Sequence, residues 1–234
     1  MWGSTPSSRT FVYTMSQPAP RKGFSRVELQ NILIASSVLF LDFVLLFGGF
    51  TGLNNMFGIQ FTAASALASL EATLPLALLI TLTAFLCHEM AHKFTAQSMG
   101  LWSEFRMSTQ GLLFSIVFSL FGFLWGAPGA TVVAGAREPR QMGLGSFAGP
   151  GMNLIWTGVF SGLSLLPFHY LGYHYWTGVF FVVAFVNLWF AIFNLIPWGP
   201  LDGRKVLRWN HWVWGVTFFG ALAVFIFFYS SYLI

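Results

Sequence analysis

The residues with the clearest chemical potential form the sequence His88-Glu89-Met90-Ala91-His92. If this stretch is helical, residues four apart lie on one face about 6 Å from each other, so the two imidazoles could bind one Zn²⁺. Glu89, beside the metal, could act as general base on a metal-bound water. So few His and Glu residues should give this spacing by chance in roughly one of a few hundred such chains. The motif therefore indicates zinc-dependent hydrolysis.

The motif lies in an apolar run, residues 74–94, where ionisable groups are costly and usually functional. The 234 residues are 56% hydrophobic and only 8% charged, whereas soluble domains carry about 25% charge. Several apolar runs of near twenty residues indicate an α-helical polytopic membrane protein. The net charge of +4 comes from basic residues in short loops, a membrane-orientation pattern, so no nucleic-acid partner is expected.

About five transmembrane helices are expected in a single intramembrane domain, residues 29–234, with its core at 74–210. The basic, acid-poor start of the chain predicts a disordered cytoplasmic tail over residues 1–28, with Met15 as an alternative start. In the second span, Thr73 is expected to cap the helix start and Gly100 its end. The predicted spans are residues 29–50, 74–99, 144–166, 175–196 and 213–232.

Residues 101–142 contain an apolar stretch that is short for a span, and we interpret the region as a β-hairpin or a re-entrant element. Residues 112–119 alternate in a way that favours a strand, and residues 130–135 could form a second strand. Basic residues on both sides place both ends of the region in the cytoplasm: Arg106, Arg137 and Arg140.

A third metal ligand could come from the end of the fourth span, where two prolines and two glycines break the helix before Asp202. Asp202 is either a solvated acid at a helix exit or a ligand that leaves the fourth tetrahedral position to water. Topology bears on this choice. The two histidines lie towards the inner end of an inward-running helix, and Asp202 follows another such helix. All three then meet on the cytoplasmic side, provided that residues 112–125 do not cross the membrane.

The other polar residues of the apolar runs have ordinary interpretations. Asp42 is a rival ligand, but it lies about 12 Å below the outer face, against roughly 21 and 27 Å for the two histidines. It is expected to make an interhelical hydrogen bond or to stay protonated. Lys93 is expected to extend to the membrane interface, and Cys87, the single cysteine, to be a small core residue. The remaining histidines are expected at interfaces: His169, His174 and His211.

Three motifs in this order resemble the site-2 protease family of intramembrane zinc metalloproteases. They are the HExxH sequence, the sequence Gly149-Pro150-Gly151-Met152-Asn153 that opens the next span, and Asn-x-x-Pro-x-x-Pro-Leu-Asp-Gly from Asn194 to Gly203. The resemblance implies one Zn²⁺ per chain, held by His88, His92 and Asp202.

The same resemblance implies Glu89 as the catalytic glutamate. Asn194 would orient the substrate or steady the oxyanion, and Asn153 would be a second helper of that kind. A β-hairpin after the catalytic helix is implied as well. The chain departs from the family pattern in that no PDZ or CBS domain is recognised in it, so a minimal form is expected.

The expected activity is hydrolysis of a peptide bond within transmembrane segments of membrane proteins. The expected partners are a transmembrane protein substrate and the lipid bilayer, with the site in the cytoplasmic half of the cell membrane. Two alternatives stay open. One is a non-proteolytic zinc-binding chaperone or adaptor, and the other is a metal transporter, which would place ligands at several depths along a path.

Overall fold

A computed structural model describes residues 22–48, 66–124, 126–166 and 174–233. Most of the predicted N-terminal tail and His169 lie outside the described residues, as does the side chain of His174. The elements in order are α1 (Arg26–Phe47), α2 (Ala66–Ile80), a π turn (Thr81–Leu86), α3 (Cys87–Ser98), β1 (Trp102–Met107), α4 (Thr109–Leu120), β2 (Gly129–Ala134), α5 (Pro139–Ser164), α6 (His174–Leu195), α7 (Asp202–Trp209) and α8 (His211–Leu233).

The architecture is that of a polytopic helical membrane protein with one small sheet. Four helical stretches in the described parts of the chain are long and apolar enough to cross a membrane, and they match four of the five predicted spans. The remaining predicted span, residues 144–166, corresponds to α5, a glycine-rich helix of 26 residues that packs against α3, α6 and α7. The four stretches are Arg26–Phe47, Glu71–Ser98, Tyr175–Leu195 and His211–Phe228.

The helix that carries the HExxH sequence is one continuous rod made of α2, the π turn and α3. The predicted cap at Thr73 is wrong because the preceding residues are rich in Ala and Leu, strong helix formers, and the helix starts at Ala66. The predicted end at Gly100 is confirmed. Gly100 has φ +73°, and the backbone N–H of Leu101 donates to the Ala96 carbonyl over 3.0 Å, as in a Schellman ending.

The predicted hairpin exists, but its first strand was placed wrongly. β1 pairs antiparallel with β2 from Trp102↔Ala134 to Met107↔Gly129, and residues 112–119 belong to helix α4 instead. The buried residues of α4 recur at the helical spacing of three and four, and its serine hydroxyls donate to carbonyls of the same helix. These buried residues are Leu112, Ser115 and Ser119.

Helix α4 is an apolar helix that is too short to cross a bilayer. Its 12 residues extend about 18 Å, which is less than the roughly 30 Å of a bilayer core. The chain leaves β1, forms α4 and returns to pair with β1 through β2. The interpretation of Asp202 requires that this region does not cross the membrane, and the short length of α4 is compatible with that requirement.

Two buried charged residues join the elements around the site. The carboxylate of Asp42 on α1 accepts a hydrogen bond from Ser119 on α4 over 3.2 Å, as expected of an interhelical contact. Lys93 does not extend to the interface, contrary to prediction. Its Nζ lies 2.8 Å from Glu28 Oε1, and both side chains are completely buried. Lys93 stays inside because the first turn of α1 and the carbonyl of Ser103 supply acceptors there.

Candidate metal centre

The structure brings together the three predicted metal ligands. The Nε2 atoms of His88 and His92, one turn apart on α3, are 3.0 Å from each other. Asp202, the first residue of α7, places Oδ2 3.0 Å from His92 Nε2 and 3.7 Å from His88 Nε2. All three residues are buried. In the described parts of the chain, no other group of three His, Cys, Asp or Glu residues converges in this way.

The space between these atoms fits a zinc ion. Four ligands at 2.0–2.2 Å in a tetrahedron lie about 3.3 Å from one another, in the middle of the separations seen here. Gly149 of α5 keeps this space open. A Cβ at this position would lie 2.3 Å from His92 Nε2 and 2.6 Å from His88 Nε2. The glycine therefore leaves room for one atom beside both imidazoles.

Hydrogen bonds on the far side of each ring turn Nε2 towards the centre. His88 Nδ1 lies 2.5 Å from Asn153 Oδ1, and His92 Nδ1 lies 2.7 Å from the carbonyl of Gly145. Amide and backbone oxygens only accept hydrogen bonds, so each Nδ1 carries a proton and Nε2 is left as the atom that would bind a metal. This is the arrangement that orients histidines for a metal.

Asn153 supports a ligand and does not face the reaction space. Its amide nitrogen donates to the Ala84 carbonyl and to Asn187 Oδ1, each over 3.1 Å, and the residue is completely buried. The predicted role as a donor to substrate or oxyanion is therefore corrected. With its amide hydrogens used behind His88, Asn153 holds that imidazole in place.

Asn187 is a site residue that the sequence prediction missed. It joins Asn153 to the π turn, because its own amide nitrogen donates to Thr83 Oγ1 and to the Val183 carbonyl, each over 2.9 Å. The available signal was an amide in the middle of an otherwise apolar span, where polar groups are costly. The π turn that receives this contact is a feature often found at functional sites.

Asp202 is held in the form that binds a metal. Burial by itself would raise its pKa, but the charge of His92 and hydrogen bonds from both histidines outweigh burial and hold the pKa well below its ordinary value. Lys205 adds a weaker contact, with Nζ 3.5 Å from Asp202 Oδ1. The carboxylate therefore stays ionised.

Glu89 and Asn194 lie where two cavities meet. One cavity, of about 430 Å³, is lined by apolar side chains of α1 and α6. The other, of about 550 Å³, is lined by residues of β2, of the start of α5 and of the segment around Asp202, and about half of its lining residues are polar or charged. The residues common to both cavities are His88, Glu89, Ala127, Gly129 and Asn194.

No profile of a known protein family and no solved structure matches the chain. The chain is 37% identical over 135 residues to the provisionally named zinc metalloprotease MJ0611 of Methanocaldococcus jannaschii, a match that covers 57% of this chain and 69% of that protein. It is 30% identical over 138 residues to the provisionally named zinc metalloprotease Rip3 of Mycobacterium tuberculosis, covering 56% of this chain and 30% of Rip3.

A third relative is the provisionally named zinc metalloprotease sll0528 of Synechocystis. It is 29% identical over 143 residues, which are 59% of this chain and 31% of that protein. The chain thus spans less than a third of the length of the second and third relatives. The first relative is matched over most of its length. Two of the three motifs noted in the sequence supply the converging ligands, and the third supplies Asn153, which contacts His88. The chain belongs to the site-2 protease family of zinc metalloproteases.

Proposed function

We propose that the protein hydrolyses a peptide bond within a transmembrane segment of another membrane protein. The observation that carries this proposal is the meeting of an apolar and a polar cavity at Glu89 and His88. The apolar cavity, between α1 and α6, offers a membrane-facing place for an apolar peptide. The polar cavity offers a path for the water that hydrolysis consumes. A protease for soluble peptides would need only the second.

The residues at the junction have the chemistry for this reaction. A zinc ion held by His88, His92 and Asp202 would supply a Lewis acid and a water of lowered pKa. Glu89 takes the proton of the attacking water and passes it to the leaving amine. Asn194, half-buried at the rim of both cavities, donates to the negative charge that develops on the scissile carbonyl oxygen. Loss of one such donor costs about 3–4 kcal/mol of transition-state stabilisation.

A helical substrate hides its amide bonds and must unwind locally before it is cut. The unwound backbone then needs hydrogen-bond partners, because unpaired polar groups are costly inside a membrane. Strand β2 has β1 on one side only, and Thr131 to Val133 line the polar cavity. Pairing with the outer edge of β2, beside the Thr131 N–H that already bonds to Glu89, would satisfy the substrate backbone there.

The proposed location is the cell membrane, with the N-terminus in the cytoplasm and the polar cavity opening to the same side. Basic residues support this orientation because cytoplasmic loops are enriched in them. Arg106 and Lys205 line the polar cavity, and Arg204 and Arg208 share α7 with Lys205.

Cleavage of a transmembrane reporter in liposomes tests the proposal. Wild-type protein should cut the reporter, and Glu89→Gln should reduce the rate by at least about 1,000-fold while zinc stays bound. Glu71→Gln is the matched control, since Glu71 is an exposed glutamate of the same helical rod. Equal cutting by wild type and Glu89→Gln would rule the proposal out. Zinc binding without any cutting would favour a chaperone or adaptor role instead.

A further inference from the structure

Thr131 is the residue of β2 that contacts the predicted general base. Its backbone N–H and its hydroxyl both donate to Glu89 Oε2, each over 2.8 Å. The hydroxyl also lies 3.2 Å from the backbone carbonyl of Glu89. Both donors reach the same carboxylate oxygen, so Thr131 leaves Glu89 Oε1 for other contacts. Two bonds from one residue fix the rotation of the carboxylate, which a single bond would not do.

The geometry of the sheet explains why these donors point at Glu89. Thr131 lies opposite Phe105 in the antiparallel ladder. In this pair the backbone N–H groups point away from the ladder, that of Thr131 to Glu89 and that of Phe105 to Glu28 Oε1 over 2.9 Å. At this level of the two-stranded sheet, one backbone N–H on each outer edge therefore donates to a glutamate carboxylate.

The second glutamate is itself fixed. Glu28 is completely buried and pairs with Lys93, which lies four residues after Glu89 and therefore on the same face of α3. Lys93 also donates to the carbonyl of Ser103 on β1 over 3.1 Å. The sheet is consequently attached to α3 at two levels, through β1 at Lys93 and through β2 at Glu89.

We infer that Thr131 is a positioning residue for Glu89, with the buried Glu28–Lys93 pair holding the sheet from which it acts. This inference rests on the proposed function, in which Glu89 moves the proton of the attacking water. A carboxylate held in one rotamer meets that water in the productive orientation more often than a freely rotating one. The hydroxyl should therefore affect the chemical step and leave substrate binding and zinc binding nearly unchanged.

Kinetics of Thr131→Val and Thr131→Ser test this role. Valine keeps the size and the backbone N–H but lacks the hydroxyl, and kcat should fall roughly 10-fold with KM within about 2-fold of wild type. Serine restores the hydroxyl and should recover most of the rate. Zinc content should stay at one ion per chain in both variants. Thr217→Val is the matched control, because the Thr217 hydroxyl bonds only to carbonyls of its own helix, α8.

Three results would overturn the inference: an unchanged kcat in Thr131→Val, a loss that follows zinc content, or a serine variant as slow as the valine variant. A second measurement does not depend on proteolysis. The losses in Tm from Glu89→Ala and Thr131→Val should not add in the double variant, because both remove the same contact. If wild type cuts no faster than Glu89→Gln, the proposed function fails. Additive losses in Tm would then overturn the Thr131 contact, and non-additive losses would support it.

Discussion

The two halves of the site are supported in different ways. The metal-ligand half is enclosed by helices, with Asn153 and the carbonyl of Gly145 behind the two imidazoles and Gly149 against their Nε2 atoms. The base half depends on two short strands whose outer edges end on Glu89 and Glu28. In the proposed reaction, metal binding would therefore rely on packed helices and proton transfer on a small sheet. Mutations in the ligand half should weaken zinc binding, whereas mutations in the base half should leave it nearly unchanged. Zinc affinity measures this difference.

The largest effect on zinc should come from the ligands themselves. His88→Ala and Asp202→Ala each remove one of three protein ligands, so bound zinc should fall from one per chain to near zero. Metal analysis of purified protein after dialysis measures this. Lys205→Ala is a control, because Lys205 contacts Asp202 without being a ligand. Full zinc content in Asp202→Ala would show that the third ligand lies elsewhere.

Gly149→Ala should have the next largest effect. Its Cβ would enter the space between the two Nε2 atoms, so zinc affinity should fall by at least about 100-fold. Gly158→Ala on the same helix is the matched control, since a Cβ there meets nothing within 4 Å. Competition with a chromophoric chelator gives both affinities. Equal affinities in the two variants would contradict the close packing of α5 against the histidines.

A smaller loss of zinc affinity is expected from changes to the asparagines that support His88. Asn153→Leu removes the acceptor for His88 Nδ1, and zinc affinity should fall about 10- to 100-fold, as is usual for partners of metal-binding histidines. Asn187→Leu, one contact further away, should lose less than Asn153→Leu. The same chelator competition ranks the two variants. The reverse order would contradict the network that links Asn187 to His88 through Asn153.

The smallest effect on zinc should come from the pair that supports the sheet. Lys93→Met leaves the Glu28 charge buried and unpaired, which should cost about 3–5 kcal/mol of unfolding free energy. Adding Glu28→Leu should recover much of this stability. Zinc affinity of the folded double variant should stay within about 2-fold of wild type while cleavage falls. Denaturant unfolding measures the stability, and chelator competition measures the zinc affinity. A loss of zinc affinity that parallels the loss of stability would show that the two halves of the site are not independent.

The sequence predicted the three converging residues but not the asparagines behind them, since the role of Asn153 was misassigned and Asn187 was missed. His88 and His92 are one helical turn apart, and the broken helix before Asp202 marks a chain that turns back. The base half was predicted less completely. Glu89 came from the motif, but Thr131 lies 42 residues away and gave no signal. Lys93 was misjudged for the same reason, because its partner Glu28 is 65 residues away.

The first strand of the hairpin was misplaced for a different reason. In residues 112–119 the smaller or more polar residues Leu113, Ser115, Val117 and Ser119 alternate with larger apolar ones, which imitates a strand with two different faces. In a membrane setting such serines satisfy their hydroxyls on carbonyls of their own helix, as Ser115 does with Leu112 over 2.9 Å. The true strand, Trp102–Met107, contains Glu104 and Arg106 and lacks an obvious apolar period. Tertiary contacts decide the conformation of these two segments, so the local residue pattern did not predict it.

The π turn just before the motif has a consequence for alignment of the chain with its relatives. A π turn is equivalent to one extra residue in an α-helix, and one residue corresponds to about 100° of rotation. Deleting one residue between Thr81 and Leu86 would replace the π-type hydrogen bonds by regular α-helical ones. Either α2 or α3 would then rotate about their common axis. If α3 rotates, Glu89 loses its contact with Thr131. If α2 rotates, its apolar face turns away from α1. The rotation of the catalytic helix about its axis therefore depends on the exact number of residues in this segment. An alignment gap placed here implies a rotated helix and not only a shorter one.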